Sequence, residues 1–95
     1  MQKFSDALWK DDGFDVKLYC DNYFDDEEYA LIKQTLIQNS KLWKEAGNVP
    51  IKEVVALMGL VDQLAGGNRF HDEKTAVKVE DACIEIQEII TDLLY

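Results

Sequence analysis

The strongest constraint on the fold of this chain is a helical repeat of apolar residues near its C-terminus. Between residues 76 and 93, apolar positions recur at spacings of 3, 4, 3, 4 and 3, which is the period of one face of an α-helix. The repeat therefore predicts a helix over about 72–94 that turns this face to the core. The apolar face consists of Ala76, Val79, Cys83, Ile86, Ile90 and Leu93.

Two further helices are predicted upstream, and both have recognisable ends. The first spans about 26–46, with Asp25 as its N-cap and Gly47 as its C-terminal stop. The second spans about 51–65 and starts at Pro50, a residue that is favoured at helix beginnings. The first helix has one apolar face, made of Tyr29, Ile32, Leu36 and Trp43.

The helix over 51–65 is apolar on every side in its middle, where the sequence reads VVALMGLV. A helix of this kind is normally enclosed by other elements, so we expect it at the centre of the domain. Gly59 lies within it, although glycine costs a helix about 1 kcal/mol relative to alanine. We expect that glycine to permit the close approach of a neighbouring helix.

The first 24 residues carry the weakest pattern. Residues 4–10 fit a short helix capped by Ser5, and residues 14–20 fit a strand or a helix equally well. The predicted fold is an all-α bundle of three long helices, over about 26–46, 51–65 and 72–94, plus a short or irregular N-terminal segment. A chain of 95 residues is of the size that one core serves, so we expect a single domain over 1–95.

The charge of the chain is acidic and unevenly distributed. The formal net charge is −9, with −6 in residues 1–28, +2 in residues 29–71 and −5 in residues 72–95. A protein that follows phosphates or anionic membrane surfaces needs the opposite sign. We therefore expect no direct contact with nucleic acid or with a membrane.

Neither a targeting segment nor a disulfide framework is indicated. The N-terminus lacks an apolar stretch followed by a small-residue cleavage site, and the longest apolar run is too short to cross a bilayer. Cys20 and Cys83 are the only cysteines. We expect both to be free thiols in the reducing cytoplasm.

Aromatic residues are concentrated where the acidic residues are. Seven of the ten aromatic residues lie in the first 29 residues, beside nine carboxylates. Large rings anchor protein interfaces, and carboxylates accept hydrogen bonds from arginine and steer a cationic partner. Phe14, Phe24 and Tyr29 fit the core. We expect at least two of the remaining rings in the polar stretch to be exposed, namely among Trp9, Tyr19 and Tyr23.

Two groups of residues are predicted to contact a basic protein partner. The N-terminal group consists of Trp9, Tyr19, Asp21, Tyr23, Asp25, Asp26 and Glu27. The second group lies in the last turns of the C-terminal helix, where acidic residues oppose the helix dipole, and consists of Glu85, Glu88 and Asp92. We expect Asp25 and Asp26 to be solvated, so that reversing their charge leaves the fold intact.

No catalytic, metal or cofactor site is predicted. His71 is the only histidine, and no serine or cysteine lies in a pattern that activates a nucleophile. Calcium-loop frames that begin at Asp11 or Asp21 lack the required glycine and glutamate. The sequence therefore favours a binding protein over an enzyme.

In character, a short, acidic and aromatic-rich chain without catalytic residues resembles the colicin-type and contact-dependent-inhibition immunity proteins. This resemblance implies an inhibitor, an immunity protein or antitoxin that covers the cationic substrate surface of a nuclease-type toxin. Two alternatives stay open. One is a phage or plasmid protein that mimics DNA with a row of carboxylates on the C-terminal helix. The other is a helical adaptor that forms a homodimer through the helix over 51–65.

Overall fold

The computed structural model describes residues 2–66 and 72–94, which form five α-helices and no strand. The all-α prediction is confirmed, but the described residues form five helices, of which three are long. The segment expected to be short or irregular contains two of them, and residues 14–20 are helical. His71, the histidine considered above, lies outside the described residues. The helices are α1 (Phe4–Leu8), α2 (Phe14–Asp21), α3 (Asp26–Ala46), α4 (Ile51–Ala65) and α5 (Glu73–Leu94).

Both predicted ends of α3 are confirmed. The Asp25 side chain accepts hydrogen bonds from the backbone N–H groups of Glu27 and Glu28, which have no partner within the helix. Gly47 follows the helix with a φ of +77°, the left-handed conformation that glycine adopts without strain, and its N–H donates to the carbonyl of Trp43.

The short helix α1 occupies the centre of the fold. It packs against α3 on one side and against α4 on the other. Phe4, Ser5, Ala7 and Leu8 are all buried. Ser5 is therefore not the cap that the sequence suggested, because the helix begins one residue earlier, after Lys3.

Two polar side chains from neighbouring helices hold the N-terminus of α1. Asn39 of α3 accepts a hydrogen bond from the backbone N–H of Phe4 and donates one to the carbonyl of Gln2. Glu53 of α4 accepts hydrogen bonds from the backbone N–H of Ser5, at 2.9 Å, and from the Ser5 hydroxyl, at 2.6 Å. Both residues are buried, so they cap α1 from α3 and from α4.

The helix α4 is not enclosed, and this expectation was wrong. Ile51, Val55 and Met58 are 83%, 53% and 67% exposed. The physical reason is that the neighbours of α4, namely α1, α2 and α5, bury only the face that carries Ala56, Leu57 and Leu60. Gly59 does not serve a close approach either, because a Cβ atom built there meets no atom within 4 Å.

The core draws on all five helices and on the linker before α3. Among the described helices, none is long and apolar enough to cross a lipid bilayer. The α3 face predicted from the sequence is buried, as are Val79 and Ile86 from the predicted face of α5. The buried apolar residues are Phe4, Ala7, Leu8, Phe14, Leu18, Phe24, Tyr29, Ile32, Leu36, Trp43, Ala56, Leu57, Leu60, Leu64, Val79, Ala82 and Ile86.

Replacing Glu53 by alanine is expected to destabilise the fold strongly. The substitution leaves two buried donors of Ser5 without an acceptor, which costs about 2–4 kcal/mol in the free energy of unfolding. Urea denaturation followed by circular dichroism measures the loss. The matched control is Glu45→Ala, at an exposed position of α3, with an expected effect within about 0.5 kcal/mol. Equal losses in the two variants would show that Glu53 does not hold α1.

Candidate functional site

Three aromatic rings form a buried base beneath the acidic N-terminal part of the chain. Phe14 of α2 meets Phe24 of the following linker edge to face, with ring centroids 4.9 Å apart. Tyr29 of α3 lies 5.4 Å from Phe14 and 5.2 Å from Phe24. Ring pairs at these distances are favourable beyond the area they bury. All three rings were expected in the core, and they fix α2 against the first turns of α3.

Two ion pairs join the segments around this base. Lys10, in the loop after α1, lies 2.9 Å from a carboxylate oxygen of Glu28 in the first turn of α3. Lys17 of α2 lies 2.8 Å from Asp25, the N-cap of α3. The α1–α2 loop, α2 and the N-terminus of α3 are thereby brought together.

Three other rings of this region are exposed. Trp9 follows the end of α1 and is 44% exposed, and Tyr19 in the last turns of α2 is 72% exposed. Tyr23 is 56% exposed and follows Asn22, whose φ of +51° turns the chain. The N–H of Tyr23 donates to the carbonyl of Lys17, which keeps Tyr23 next to α2. Exposed rings held on a fixed backbone are available to a partner.

Exposed carboxylates accompany these rings. Asp21 and Glu27 were predicted from the sequence and make no ion pair with any described residue. Asp11 and Asp12 are likewise exposed and make no ion pair with any described residue. They are not among the predicted residues, although the Asp-Asp-Gly turn indicates a surface position. We call this set the acidic-aromatic surface: Trp9, Asp11, Asp12, Tyr19, Asp21, Tyr23 and Glu27.

The expectation of solvated side chains is wrong for Asp25, which caps α3 and whose side chain is 17% exposed, whereas the side chain of Asp26 is 68% exposed, as expected. The hydrogen bond from Lys17, together with those from the backbone N–H groups of α3, holds the pKa of Asp25 below its ordinary value. The same bond raises the pKa of Lys17. Asp26 lies 2.9 Å from Lys78 of α5. Reversing the charge of Asp25 would remove the cap of α3 and place two cations together.

Glu85, which belongs to the second predicted group, is also bound by other side chains of the fold. It accepts hydrogen bonds from the Tyr29 hydroxyl and from Lys33, the latter at 3.2 Å. The bond from Tyr29 and the nearby Lys33 hold the pKa of Glu85 below its ordinary value. Burial and the contact with Glu85 raise the pKa of Tyr29 well above its usual range. Glu88 and Asp92 are exposed, as predicted.

The far end of the second predicted group lies away from the first group, although Glu85 contacts Tyr29 of the aromatic base. The helices α3 and α5 run in the same direction, since Asp26 contacts Lys78 at one end and Lys44 donates to the Asp92 carbonyl at the other. Eighteen residues of helix separate Asp26 from Lys44, which is about 27 Å. The structure therefore does not bring Asp92 to the acidic-aromatic surface.

An apolar groove between α4 and α5 is a second surface feature. It encloses about 1160 Å³ and is lined by Val54, Met58, Val61, Asp62, Ile90 and Leu93, among others. None of these was predicted as a site residue in the leading interpretation. The sequence feature that could have indicated this groove is the apolar stretch of α4, which we expected to be covered by other helices.

Metal-binding and redox groups are sparse in the part of the chain that the structure describes. Within residues 2–66 and 72–94, no cluster of three or more histidine, cysteine or acidic side chains is arranged to hold a metal ion. Cys20 is exposed and Cys83 is half-buried, and both are free. Cys83 was expected to be buried and instead lies at the edge of the core.

Comparisons with protein-family models, with curated proteins and with solved structures find no significant match to this chain. No function is therefore inherited from a relative. What the protein binds has to follow from the two surfaces described above, the acidic-aromatic surface and the apolar groove.

Replacing Glu85 by glutamine is expected to lower the melting temperature by a few degrees at pH 7 and by clearly less near pH 3. A carboxylate whose pKa is lowered by folding stabilises the native state above its unfolded pKa, and this contribution is lost as the pH falls through the folded pKa. Thermal denaturation at both pH values measures the difference. Glu88→Gln, one turn further along α5, is the control and should leave both melting temperatures unchanged. An equally large difference in melting temperature between Glu85→Gln and the wild type at pH 3 and pH 7 would contradict this assignment.

Proposed function

We propose that this protein is a cytoplasmic binding protein, without catalytic activity, that neutralises a basic protein partner. The form that fits best is an immunity protein or antitoxin that covers the cationic substrate surface of a nuclease-type toxin. The observation that carries the proposal is the acidic-aromatic surface, a set of exposed rings and exposed carboxylates on segments that the buried aromatic base and two ion pairs hold in place.

The arrangement of the rings supports an anchoring role. Trp9, Tyr19 and Tyr23 extend from segments that the buried aromatic base and two ion pairs hold in place. Because these segments are ordered before binding, little conformational entropy is lost when a partner covers the rings. Aromatic side chains on a fixed surface are the residues that most often dominate binding energy.

The arrangement of charge supports attraction of a cationic partner. Two of the three lysines in residues 1–28 are paired with Glu28 and Asp25, so they do not face the partner. The carboxylates of Asp11, Asp12 and Asp21 remain open to solvent. Such groups raise the association rate of a basic protein and accept forked hydrogen bonds from arginine.

The DNA-mimic alternative receives less support from the geometry. Its carboxylate row on α5 is interrupted, because Glu85 is bound to Tyr29 and Lys33 and because Lys78 lies one turn before Asp81. A mimic needs evenly spaced charges of one sign, as in a phosphate backbone. The acidic-aromatic surface, with three rings among its carboxylates, has the composition of a protein interface.

The proposal predicts that rings and charges act on different steps of binding. The partner is first isolated from the source cell with the tagged protein and identified by mass spectrometry, and it should be basic. Tyr19→Ala combined with Tyr23→Ala should raise the dissociation constant at least about tenfold, mainly through faster dissociation. Surface plasmon resonance with the purified partner measures both rates.

Charge reversal supplies the matched control. Asp21→Lys and Glu45→Lys change the net charge equally, but Glu45 lies at the far end of α3. Asp21→Lys should slow association roughly three- to tenfold at low salt and much less at high salt, whereas Glu45→Lys should have a small effect. Equal rates for the two variants, or a partner whose contact surface is acidic, would overturn the proposal.

A further inference from the structure

The outer face of α4 is an uncovered apolar surface that borders the groove against α5. Ile51, Val55 and Met58 are all more than half exposed, and the groove beside them continues to Ile90 and Leu93. Exposed apolar patches of this kind in a small protein mark a site of association. Nothing in the acidic-aromatic surface involves these residues.

The exposed positions of α4 follow the spacing of a coiled-coil seam. Ile51, Val55, Met58, Asp62 and Ala65 recur at intervals of 4, 3, 4 and 3 residues, and all five are exposed. This spacing places side chains in one line along a helix, ready to pack against the same line of a second helix. We call these five residues the α4 seam.

The exposed charges of α4 balance, although the chain is strongly negative. Each chain carries a net charge of −9, so two copies repel one another over most of their surfaces. The charged residues of α4 are Lys52, Glu53 and Asp62. Glu53 is buried against Ser5, so the exposed charges are one positive and one negative. The α4 seam is therefore a face on which two copies can meet without charge repulsion.

The seam also matches itself when reversed. Residues 51, 55, 58 and 62 are symmetric about the midpoint between positions 56 and 57, so two antiparallel α4 helices place Val55 beside Met58 of the partner subunit. The same register places Asp62 opposite Ile51 of the partner subunit, one residue from Lys52 of the partner subunit, whose long side chain can reach the carboxylate. Interfaces with a two-fold axis require this self-complementarity. A foreign partner would not require it.

We propose that the α4 seam is the interface of an antiparallel homodimer, in which Asp62 pairs with Lys52 of the partner subunit. Gly59 fits this arrangement: glycine weakens a helix relative to alanine, and within residues 2–66 and 72–94 no atom lies in the space where its Cβ would be. That open space lies next to Val55 and Met58 and admits an incoming side chain. The dimer leaves the residues of the acidic-aromatic surface unused, so it goes beyond the proposed function.

Sedimentation equilibrium of the full chain at moderate salt tests the proposal. The wild-type protein should be a dimer. Met58→Glu should raise its dissociation constant at least about tenfold, because it places an anion in the apolar contact. Ile84→Glu is the matched control, since Ile84 is an exposed aliphatic residue of α5 that does not line the groove. It should leave the dimer intact, and circular dichroism should show unchanged helix content in both variants.

A charge exchange tests the register. Asp62→Lys alone should weaken the dimer, because the introduced positive charge is repelled by Lys52 of the partner subunit. Adding Lys52→Asp should restore the dissociation constant to within about threefold of the wild type. Lys52 lies 3.8 Å from Asp6 between exposed side chains, so its replacement costs the fold little. A monomeric wild-type protein, a dimer insensitive to Met58→Glu, or a charge exchange without recovery would each overturn the proposal.

Discussion

The fold depends on a buried carboxylate that holds the N-terminus of a five-residue helix. Glu53 of α4 accepts two hydrogen bonds from Ser5, while Asn39 of α3 binds the preceding backbone. A helix as short as α1 has little stability of its own, because the cost of nucleating its first turn is hardly recovered by later turns. Its structure therefore comes from these tertiary caps and from the burial of Phe4 and Leu8 between α3 and α4.

The central position of α1 decides what the rest of the surface presents. With α1 between α3 and α4, the fourth helix has a covered face and an open face, and its apolar open face borders the groove against α5. The energetic cost of leaving Ile51 and Met58 in water is removed if a second copy covers them. The packing of α1 at the N-terminus thus affects which face of α4, about fifty residues later in the chain, stays open for association.

Folding pairs some of the acidic residues with lysines and leaves others exposed. Lys10 and Lys17 are drawn to Glu28 and Asp25, and Lys78 to Asp26, so these acids serve the fold. The carboxylates that stay exposed are those of the turns around Asp12 and Asp21, beside the exposed rings. Separate sets of acidic residues therefore stabilise the start of α3 and remain available for a partner.

The sequence by itself determined the three long helices, since a helical apolar period and the Asp25 and Gly47 ends are local signals that need no partner. It also indicated which aromatic residues are core and which are exposed, because the exposed ones lie in polar stretches. Only the tertiary structure decided that α4 lies outside and that Glu85 is bound to Tyr29, since such partners are dozens of residues away in the chain. The physical reason is that periodicity shows which face of a helix is apolar but not which element covers it. The covering element depends on how distant segments pack, and so does the cation or hydrogen-bond donor that a carboxylate meets.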